Sequence, residues 1–129
     1  MSTFPNVPGL DGRGMPAGRP LRADEISPRE AAAAMHEDEL LLVDVREDDE
    51  LRSAAVDGAL HVRMRDVPAR LPEIRERAGD RRVAFLCHGG VRSLRVTEHA
   101  RANGLPEAVS VAGGIDLWAM TVDPGVPRY

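Results

Sequence analysis

One short stretch of the sequence, residues 83–93, constrains the fold and the chemistry of this chain more than any other. It begins with four consecutive apolar residues, which are too few for a helix and are typical of a buried strand. Cys87, the only cysteine of the sequence, comes next, and Gly89 and Gly90 follow it closely. From Val91 onward, apolar residues recur at helical spacing. The stretch therefore predicts a strand, a glycine turn and a helix, with the thiol at the carboxyl end of the strand.

The position of Cys87 in that stretch favours a nucleophile in an anion-binding loop. In open α/β sheets, ligands bind outside the carboxyl ends of the strands. The first N–H groups of a helix lack an intrahelical partner and carry partial positive charge, and Arg92 adds a full charge. Both effects stabilise a thiolate and attract an anionic substrate. A lone cysteine after an apolar run is also compatible with a small buried core residue, so the catalytic interpretation depends on the combination of features.

The candidate site extends from the cysteine through the loop into the first turn of the helix. We predict Cys87 as the catalytic residue, and we predict the six residues after it as substrate-binding residues: His88, Gly89, Gly90, Val91, Arg92 and Ser93. We predict no metal site and no cofactor, since the acids of residues 47–53 have no histidine partner at ligand spacing.

Asp44 and Arg46 lie at the carboxyl end of another buried strand, predicted over residues 40–45, and are candidate supporting residues. In a functional role they would line the pocket or brace the Cys87 loop. The alternative is an internal pair that, with Glu50, holds the following helix. An Asp-x-Arg pair has many structural uses, and the sequence favours this second role.

Five motifs are spread over the greater part of the chain. Residues 41–47 form an apolar strand that runs into Asp-x-Arg, and residues 50–59 are similar to a glutamate followed by Gly-His-Ile-Pro-Gly-Ala. Residues 87–93 form the cysteine loop, and residues 113–118 contain Gly-Gly-x-x-x-Trp. Together, and in this order, the motifs resemble the rhodanese family of single-domain sulfurtransferases. The fifth motif, residues 122–129, is similar to the C-terminal end of a bacterial and plant subgroup of that family.

The resemblance implies an activity and a set of partners. The Cys87 thiolate would attack the outer sulfur of a small anionic donor such as thiosulfate and hold it as a persulfide. A thiophilic acceptor or a sulfur-relay protein would then take that sulfur. Two departures from the family bear on these expectations. Residues 54–57 stand where the family has Gly-His-Ile-Pro and contain no histidine; that histidine has a mostly structural role in the family. In the cysteine loop many relatives carry a second basic residue, whereas this loop has His88 and, as its only arginine, Arg92.

Two other functions are compatible with a cysteine loop. A persulfide carrier or a docking module for a sulfur-relay partner would use the same loop without turnover, and the sequence does not separate it from a transferase. A cysteine phosphatase or arsenate reductase is less favoured, because such sites place five residues between cysteine and arginine, whereas four separate Cys87 from Arg92. The sequence also shows no acid placed beside the loop to protonate a leaving group.

The alternation of strand and helix patterns predicts the fold class. It indicates a single rhodanese-like α/β domain over residues 24–129, with a central, mostly parallel sheet of about five strands and helices on both faces. Residues 65–77 are predicted as two short helical pieces, because Pro68 and Pro72 interrupt the pattern. Residues 1–23 are rich in proline, glycine and arginine without an apolar period, and are predicted to be a flexible lead-in.

Charge and cysteine content limit the possible partners and compartments. The formal net charge of −4 argues against non-specific nucleic-acid binding, which needs cations to neutralise phosphates. No run of residues approaches the length and apolar character of a membrane span, so we expect no membrane partner. A single cysteine and the lack of an apolar signal region predict a cytoplasmic, reducing location.

Overall fold

The computed structural model describes residues 4–129, which form a sheet flanked by helices. The elements are, in chain order, β1 (Glu25–Ile26), α1 (Pro28–His36), β2 (Leu40–Asp44), α2 (Asp48–Ser53), β3 (Leu60–His61), a 3₁₀ helix (Met64–Asp66), α3 (Val67–Ala78), β4 (Arg82–Leu86), α4 (Val91–Ala102), β5 (Val109–Val111) and α5 (Gly114–Thr121). The strands and helices alternate as the sequence predicts.

The sheet has the strand order β1-β5-β4-β2-β3, and every pairing in it is parallel. Strand β2 is buried along its whole length, and its side chains alternate between two cores. Leu41 and Val43 pack in a core that includes residues of α3 and α4, while Leu40 and Leu42 pack with residues of α1 and α5. The predicted α/β class, with helices on both faces of a parallel sheet, is therefore confirmed.

The end of β4 places the cysteine at a functional edge of this sheet. β4 lies between β2 and β5, and it pairs with β2 in register from Leu40–Arg82 to Asp44–Leu86. Because parallel strands share their carboxyl edge, the chain following β4 meets the chain following β2 and β5 there. Cys87 is the first residue after β4 and thus lies at this edge.

Helix α3 corrects one expectation. Residues 67–78 form one continuous helix rather than two pieces, and only the preceding 3₁₀ turn is separate. Pro68 lies in the first helical turn, where no intrahelical partner for its N–H is needed. Pro72 lies inside the helix and leaves one carbonyl without its usual donor, and burial of Leu71 and Ile74 in the core offsets this loss.

The lead-in contacts the domain within the described residues. Met15 is fully buried and packs with Ala112 and Leu117, and Arg29 of α1 donates hydrogen bonds to the carbonyls of Pro5 and Thr121. The flexibility of this segment and a domain start at residue 24 stay predictions, and residues 1–3 lie outside the described part. No helix within residues 4–129 combines the length and apolar character needed to cross a membrane.

Candidate active site

The sulfur of Cys87 lies at the centre of the loop between β4 and α4. It accepts hydrogen bonds from the backbone N–H groups of Gly90, at 3.1 Å, and Ser93, at 3.3 Å. Gly90 adopts a φ of +104°, and a Cβ on it would lie 3.1 Å from the nitrogen of Gly113, so the turn and its close packing both require glycine. The convergent N–H groups are suited to stabilise negative charge on sulfur.

A small cavity of about 260 Å³ opens beside this sulfur. Its lining brings together five of the predicted loop residues and one residue from α5: Cys87, His88, Gly89, Val91, Arg92 and Asp116. At the start of α4 the N–H groups of Gly90 and Ser93 donate to the Cys87 sulfur, whereas those of Val91 and Arg92 have no preceding helical carbonyl to bind and are available to a ligand. The site therefore accommodates a small anion near the thiol.

Arg92 forms an ion pair with Glu50 of α2 at 3.0 Å. Burial by itself disfavours the charge of Arg92, but the hydrogen bond and the charge of Glu50 outweigh it and hold the pKa of Arg92 above its ordinary value. The guanidinium is therefore charged, and Glu50 neutralises part of its field. The sequence grouped Glu50 with Asp44 and Arg46. In the structure Arg46 binds the backbone carbonyl of Glu50, whereas the Glu50 carboxylate pairs with Arg92.

Asp44 and Arg46 form a buried ion pair behind the loop, 2.7 Å apart at their closest. Arg46 is fully buried and also donates to the carbonyls of Glu50 and Ala54. Burial opposes the charge of Arg46, but the hydrogen bonds that Arg46 donates to Asp44 and Tyr129 outweigh burial and raise the pKa of Arg46. The pair joins the end of β2 to both ends of α2 and does not line the cavity beside Cys87, so a direct contact with substrate is not indicated.

The turn before α5 holds the cysteine loop from the other side. The N–H of Ile115 donates to the carbonyl of Cys87 at 2.9 Å, and the N–H of Asp116 donates to the carbonyl of His88 at 3.1 Å. A Cβ on Gly114 would overlap both carbonyls. The two glycines are visible in the sequence as part of the Gly-Gly-x-x-x-Trp motif, whereas the hydrogen bonds of this turn to the cysteine loop depend on the tertiary structure.

Asp116 lines the cavity and Tyr129 packs on His88, and neither was predicted from the sequence as a site residue. The Tyr129 ring stacks on His88 with centroids 4.3 Å apart, and its hydroxyl accepts a hydrogen bond from Arg46. Asp116 is an acid beside the cysteine loop, where none was expected. Its hydrogen bond from Arg128 lowers the pKa of Asp116, so this carboxylate has no proton to donate at neutral pH.

Trp118 and His61 have structural positions. Trp118 is buried in the core on the α1 and α5 face of the sheet, and the Nε2 of His61 lies 2.7 Å from the carbonyl oxygen of Arg46. No group of three or more histidine, cysteine, aspartate or glutamate side chains among residues 4–129 is arranged to hold a metal ion. The chemistry available at this edge thus centres on Cys87.

The part of the sequence that folds into this strand, cysteine loop and helix is matched by a known family. The family model described as Rhodanese-like domain matches residues 27–121. The chain belongs to the rhodanese-like family. The match begins just before α1 and ends with α5, so it covers most of the rhodanese-like sheet and the whole cysteine loop.

Individual relatives agree with this assignment. YtwF of Bacillus subtilis is 33% identical over 88 residues, which cover 68% of this chain and 82% of YtwF. The thiosulfate sulfurtransferase GlpE of Coxiella burnetii is 30% identical over 95 residues, covering 73% of this chain and 85% of GlpE. A rhodanese-like domain protein from Staphylococcus aureus shares the fold with a TM-score of 0.67 and 30% identity, over 82% of this chain and 98% of that one.

Proposed function

We propose that this rhodanese-like protein is a sulfurtransferase that moves a sulfane sulfur from thiosulfate, or a similar small anion, to a thiophilic acceptor through a persulfide on Cys87. The observation that carries this proposal is the convergence of two backbone N–H groups on the only sulfhydryl of the chain, beside a cavity of about 260 Å³. The similarity to a thiosulfate sulfurtransferase supports the choice of donor.

The first half-reaction loads the protein. The Cys87 thiolate attacks the outer sulfur of thiosulfate, and a new S–S bond forms as the S–S bond of thiosulfate breaks. The electron pair of the broken bond leaves with sulfite. Cys87 then carries a persulfide with its negative charge on the terminal sulfur, near the N–H groups at the start of α4. Arg92 adds positive charge near the incoming anion.

The second half-reaction unloads it. A nucleophilic acceptor such as cyanide attacks the terminal sulfur and forms a bond to it, giving thiocyanate. The S–S bond to Cys87 breaks, and its electron pair returns to Cys87 as a thiolate. No external oxidant or reductant is consumed, because the sulfane sulfur keeps its oxidation level. The hydrogen bonds from Gly90 and Ser93 stabilise the same sulfur at the beginning and the end of this cycle.

The geometry disfavours the phosphatase alternative. Four residues separate Cys87 from Arg92, and Arg92 is held by Glu50. The acid that lines the cavity, Asp116, is paired with Arg128 and stays ionised. Asp116 therefore supplies no proton to an alkoxide leaving group, whereas sulfite leaves as an anion without a proton.

The decisive experiment is intact-mass spectrometry of the whole chain after incubation with thiosulfate, with persulfide-bearing small molecules compared as donors. We expect a gain of one sulfur atom that cyanide removes, with thiocyanate formed over many cycles. Cys87→Ser is expected to gain no sulfur and to form no thiocyanate, while its circular dichroism stays unchanged. Full transfer activity in Cys87→Ser would contradict the proposal.

The same experiment separates turnover from carriage. A protein that gains one sulfur from a donor, but releases it to cyanide and to small thiols only in a single slow cycle, would be a persulfide carrier for a sulfur-relay partner. Steady release of phosphate from phenyl phosphate would instead favour the phosphatase alternative. Repeated turnover with a small acceptor is the outcome that the cavity beside Cys87 leads us to expect.

A further inference from the structure

A second serine, distant from the cysteine loop in sequence, meets the sulfur through Ser93. The Ser93 Oγ lies 3.3 Å from the Cys87 Sγ and 2.8 Å from the Oγ of Ser110, which is the middle residue of β5. Both serines are fully buried, and Cys87 is 1% exposed. The sulfur thus stands at the end of a row of two buried hydroxyl groups.

Counting protons along this row distinguishes the two ionisation states of Cys87. The row has two links, one between Cys87 and Ser93 and one between Ser93 and Ser110, and each link uses one proton. In the thiolate, Ser110 donates to Ser93 and Ser93 donates to the sulfur, so every proton in the row is used. No other hydrogen bond of the Ser110 hydroxyl is formed within the described residues 4–129.

The thiol cannot satisfy the row as well. If the S–H of Cys87 donates to Ser93, the row holds three protons, those of the thiol and of the two hydroxyl groups, but only two hydrogen bonds. One buried hydroxyl proton then has no acceptor, which costs free energy inside a protein. If the S–H turns toward the cavity, Ser93 donates to a neutral sulfur, which is a weak acceptor. The row is therefore fully hydrogen-bonded only when the sulfur is an anion.

We propose that Ser110 is a positioning residue that orients the Ser93 hydroxyl toward Cys87 and thereby favours the thiolate. The inference rests on the proposed function, since the thiolate is the form that attacks the donor. When the thiol ionises, its proton leaves to water through the cavity, and the row Ser110 to Ser93 to sulfur keeps one donor on each link. Ser110 touches neither the cavity nor the sulfur, so it acts only through Ser93.

Thr97 provides a matched control for this proposal. Its hydroxyl is fully buried and donates to the backbone carbonyl of Ser93 at 2.8 Å. Ser110→Ala and Thr97→Val therefore each remove one buried hydroxyl that binds Ser93. Only Ser110→Ala interrupts the row that leads to the sulfur.

The test is the rate of alkylation of Cys87 by iodoacetamide as a function of pH, on the full chain. Because Cys87 is the only cysteine, the signal comes from one site. Ser110→Ala is expected to lower the rate at neutral pH about three- to tenfold, the scale of one net hydrogen bond. Its profile is expected to move to higher pH and reach the wild-type plateau there, while Thr97→Val follows the wild-type profile.

Coincident profiles for Ser110→Ala and the wild type would overturn the inference, and so would an equal shift in Thr97→Val. Ser93→Ala tests the row independently if Ser110→Ala does not fold. Ser93→Ala is expected to shift the pH profile of alkylation at least as far as Ser110→Ala does. Ser93→Thr keeps the hydroxyl group and is expected to show the wild-type profile. In the double variant, Ser110→Ala is expected to add nothing to Ser93→Ala, and an additive effect would contradict the row.

These outcomes separate this inference from the proposed function. A wild-type protein that takes no sulfur from any donor, with a shifted Ser110→Ala profile, would contradict sulfur transfer and support the hydroxyl row. Normal sulfur transfer with an unshifted Ser110→Ala profile would contradict the row alone.

Discussion

At the scale of single residues, the central feature is a cysteine that is almost completely buried. Cys87 is 1% exposed, so a charge on its sulfur depends on hydrogen bonds from the protein more than on water. The N–H groups of Gly90 and Ser93 and the hydroxyl of Ser93 surround the sulfur. The reactivity of Cys87 is therefore sensitive to each of these few donors.

Arg92 is the residue whose replacement is expected to affect anion binding most directly. Arg92→Ala is expected to raise KM for thiosulfate roughly ten- to hundredfold, since a charge-assisted hydrogen bond contributes about 1.5–3 kcal/mol. Glu50→Gln removes the partner charge at nearly constant size and is expected to lower that KM. Steady-state thiocyanate formation measures both effects.

Arg92→Lys serves as the control for this pair, because it keeps the charge and loses the forked geometry of the guanidinium. We expect an intermediate KM. An unchanged KM in Arg92→Ala would show that Arg92 does not bind the donor. A raised KM in Glu50→Gln would mean that the ion pair mainly orients the guanidinium.

At the scale of elements, the glycine turn between β5 and α5 fixes the shape of the cysteine loop. The N-terminal N–H groups of α5 bind the carbonyls of Cys87 and His88, so the loop is held between two helix N-termini, those of α4 and α5. This arrangement requires the two backbones to approach closely at Gly114. The precision of the site thus depends on a turn outside the loop itself.

Gly114→Ala is expected to destabilise the protein and to reduce sulfur transfer together. The new Cβ would overlap the carbonyls of Cys87 and His88, and Gly114 has a φ of +60°. Gly58→Ala is the control, because Gly58 also has positive φ, +86°, but its Cβ would meet only Met35, at 3.8 Å. We expect a cost of about 1–2 kcal/mol for the control and a larger cost for Gly114→Ala in denaturant unfolding.

Transfer activity per folded molecule separates the two variants further. It is expected to fall in Gly114→Ala and to stay near the wild-type value in Gly58→Ala, because only Gly114 touches the loop. Equal stability and equal activity of the two variants would show that the close approach at Gly114 has no part in shaping the site.

At the scale of the whole molecule, Arg128 and Tyr129 connect three parts of the fold at the carboxyl edge of the sheet. Arg128 pairs with Asp116 of α5, and Tyr129 contacts both His88 of the loop and Arg46 beyond β2. Their partners Asp116 and His88 both line the cavity beside Cys87. The final residues therefore contribute to the site although they lie far from Cys87 in sequence.

The pair of Asp116 and Arg128 predicts a small pH-dependent contribution to stability. Because the hydrogen bond from Arg128 lowers the pKa of Asp116 in the folded state, the pair stabilises the fold above the ordinary pKa of 3.8 and loses this effect as the pH falls below it. Both side chains are partly exposed, so we expect less than about 1 kcal/mol. Asp116→Asn is expected to lower Tm slightly at neutral pH.

The difference in Tm between Asp116→Asn and the wild type is expected to shrink as the pH falls below 3.8 and to vanish once the carboxyl group of the folded wild type is protonated. Thermal unfolding at several pH values measures it. Glu73→Gln is a control, because Glu73 forms a similar surface pair with Arg70 away from the cavity. A transfer activity that changes in Asp116→Asn and stays constant in Glu73→Gln would connect the pair to the site.

Several features were predictable from the sequence because they depend on local chemistry. An apolar run followed by a cysteine, two glycines and a helical period indicates the strand, loop and helix around Cys87, whatever else surrounds them. The alternation of such patterns indicates a parallel α/β sheet, because parallel strands need crossover helices. The helix break expected at Pro72 was wrong, since burial of one face of α3 outweighs a single lost hydrogen bond.

Only the tertiary structure decided which side chains reach the sulfur and its loop. The hydrogen-bonded partners are far apart in sequence: Ser93 and Ser110 by 17 residues, Arg92 and Glu50 by 42, and Arg46 and Tyr129 by 83. Such contacts leave no periodic signal, because they depend on strand order and on the carboxyl edge shared by parallel strands. The sequence by itself therefore determined the strand, the cysteine loop and the helix that follows, and it predicted Cys87 as the nucleophile. The packing of β2, β5 and α5 around that loop determined its electrostatic surroundings.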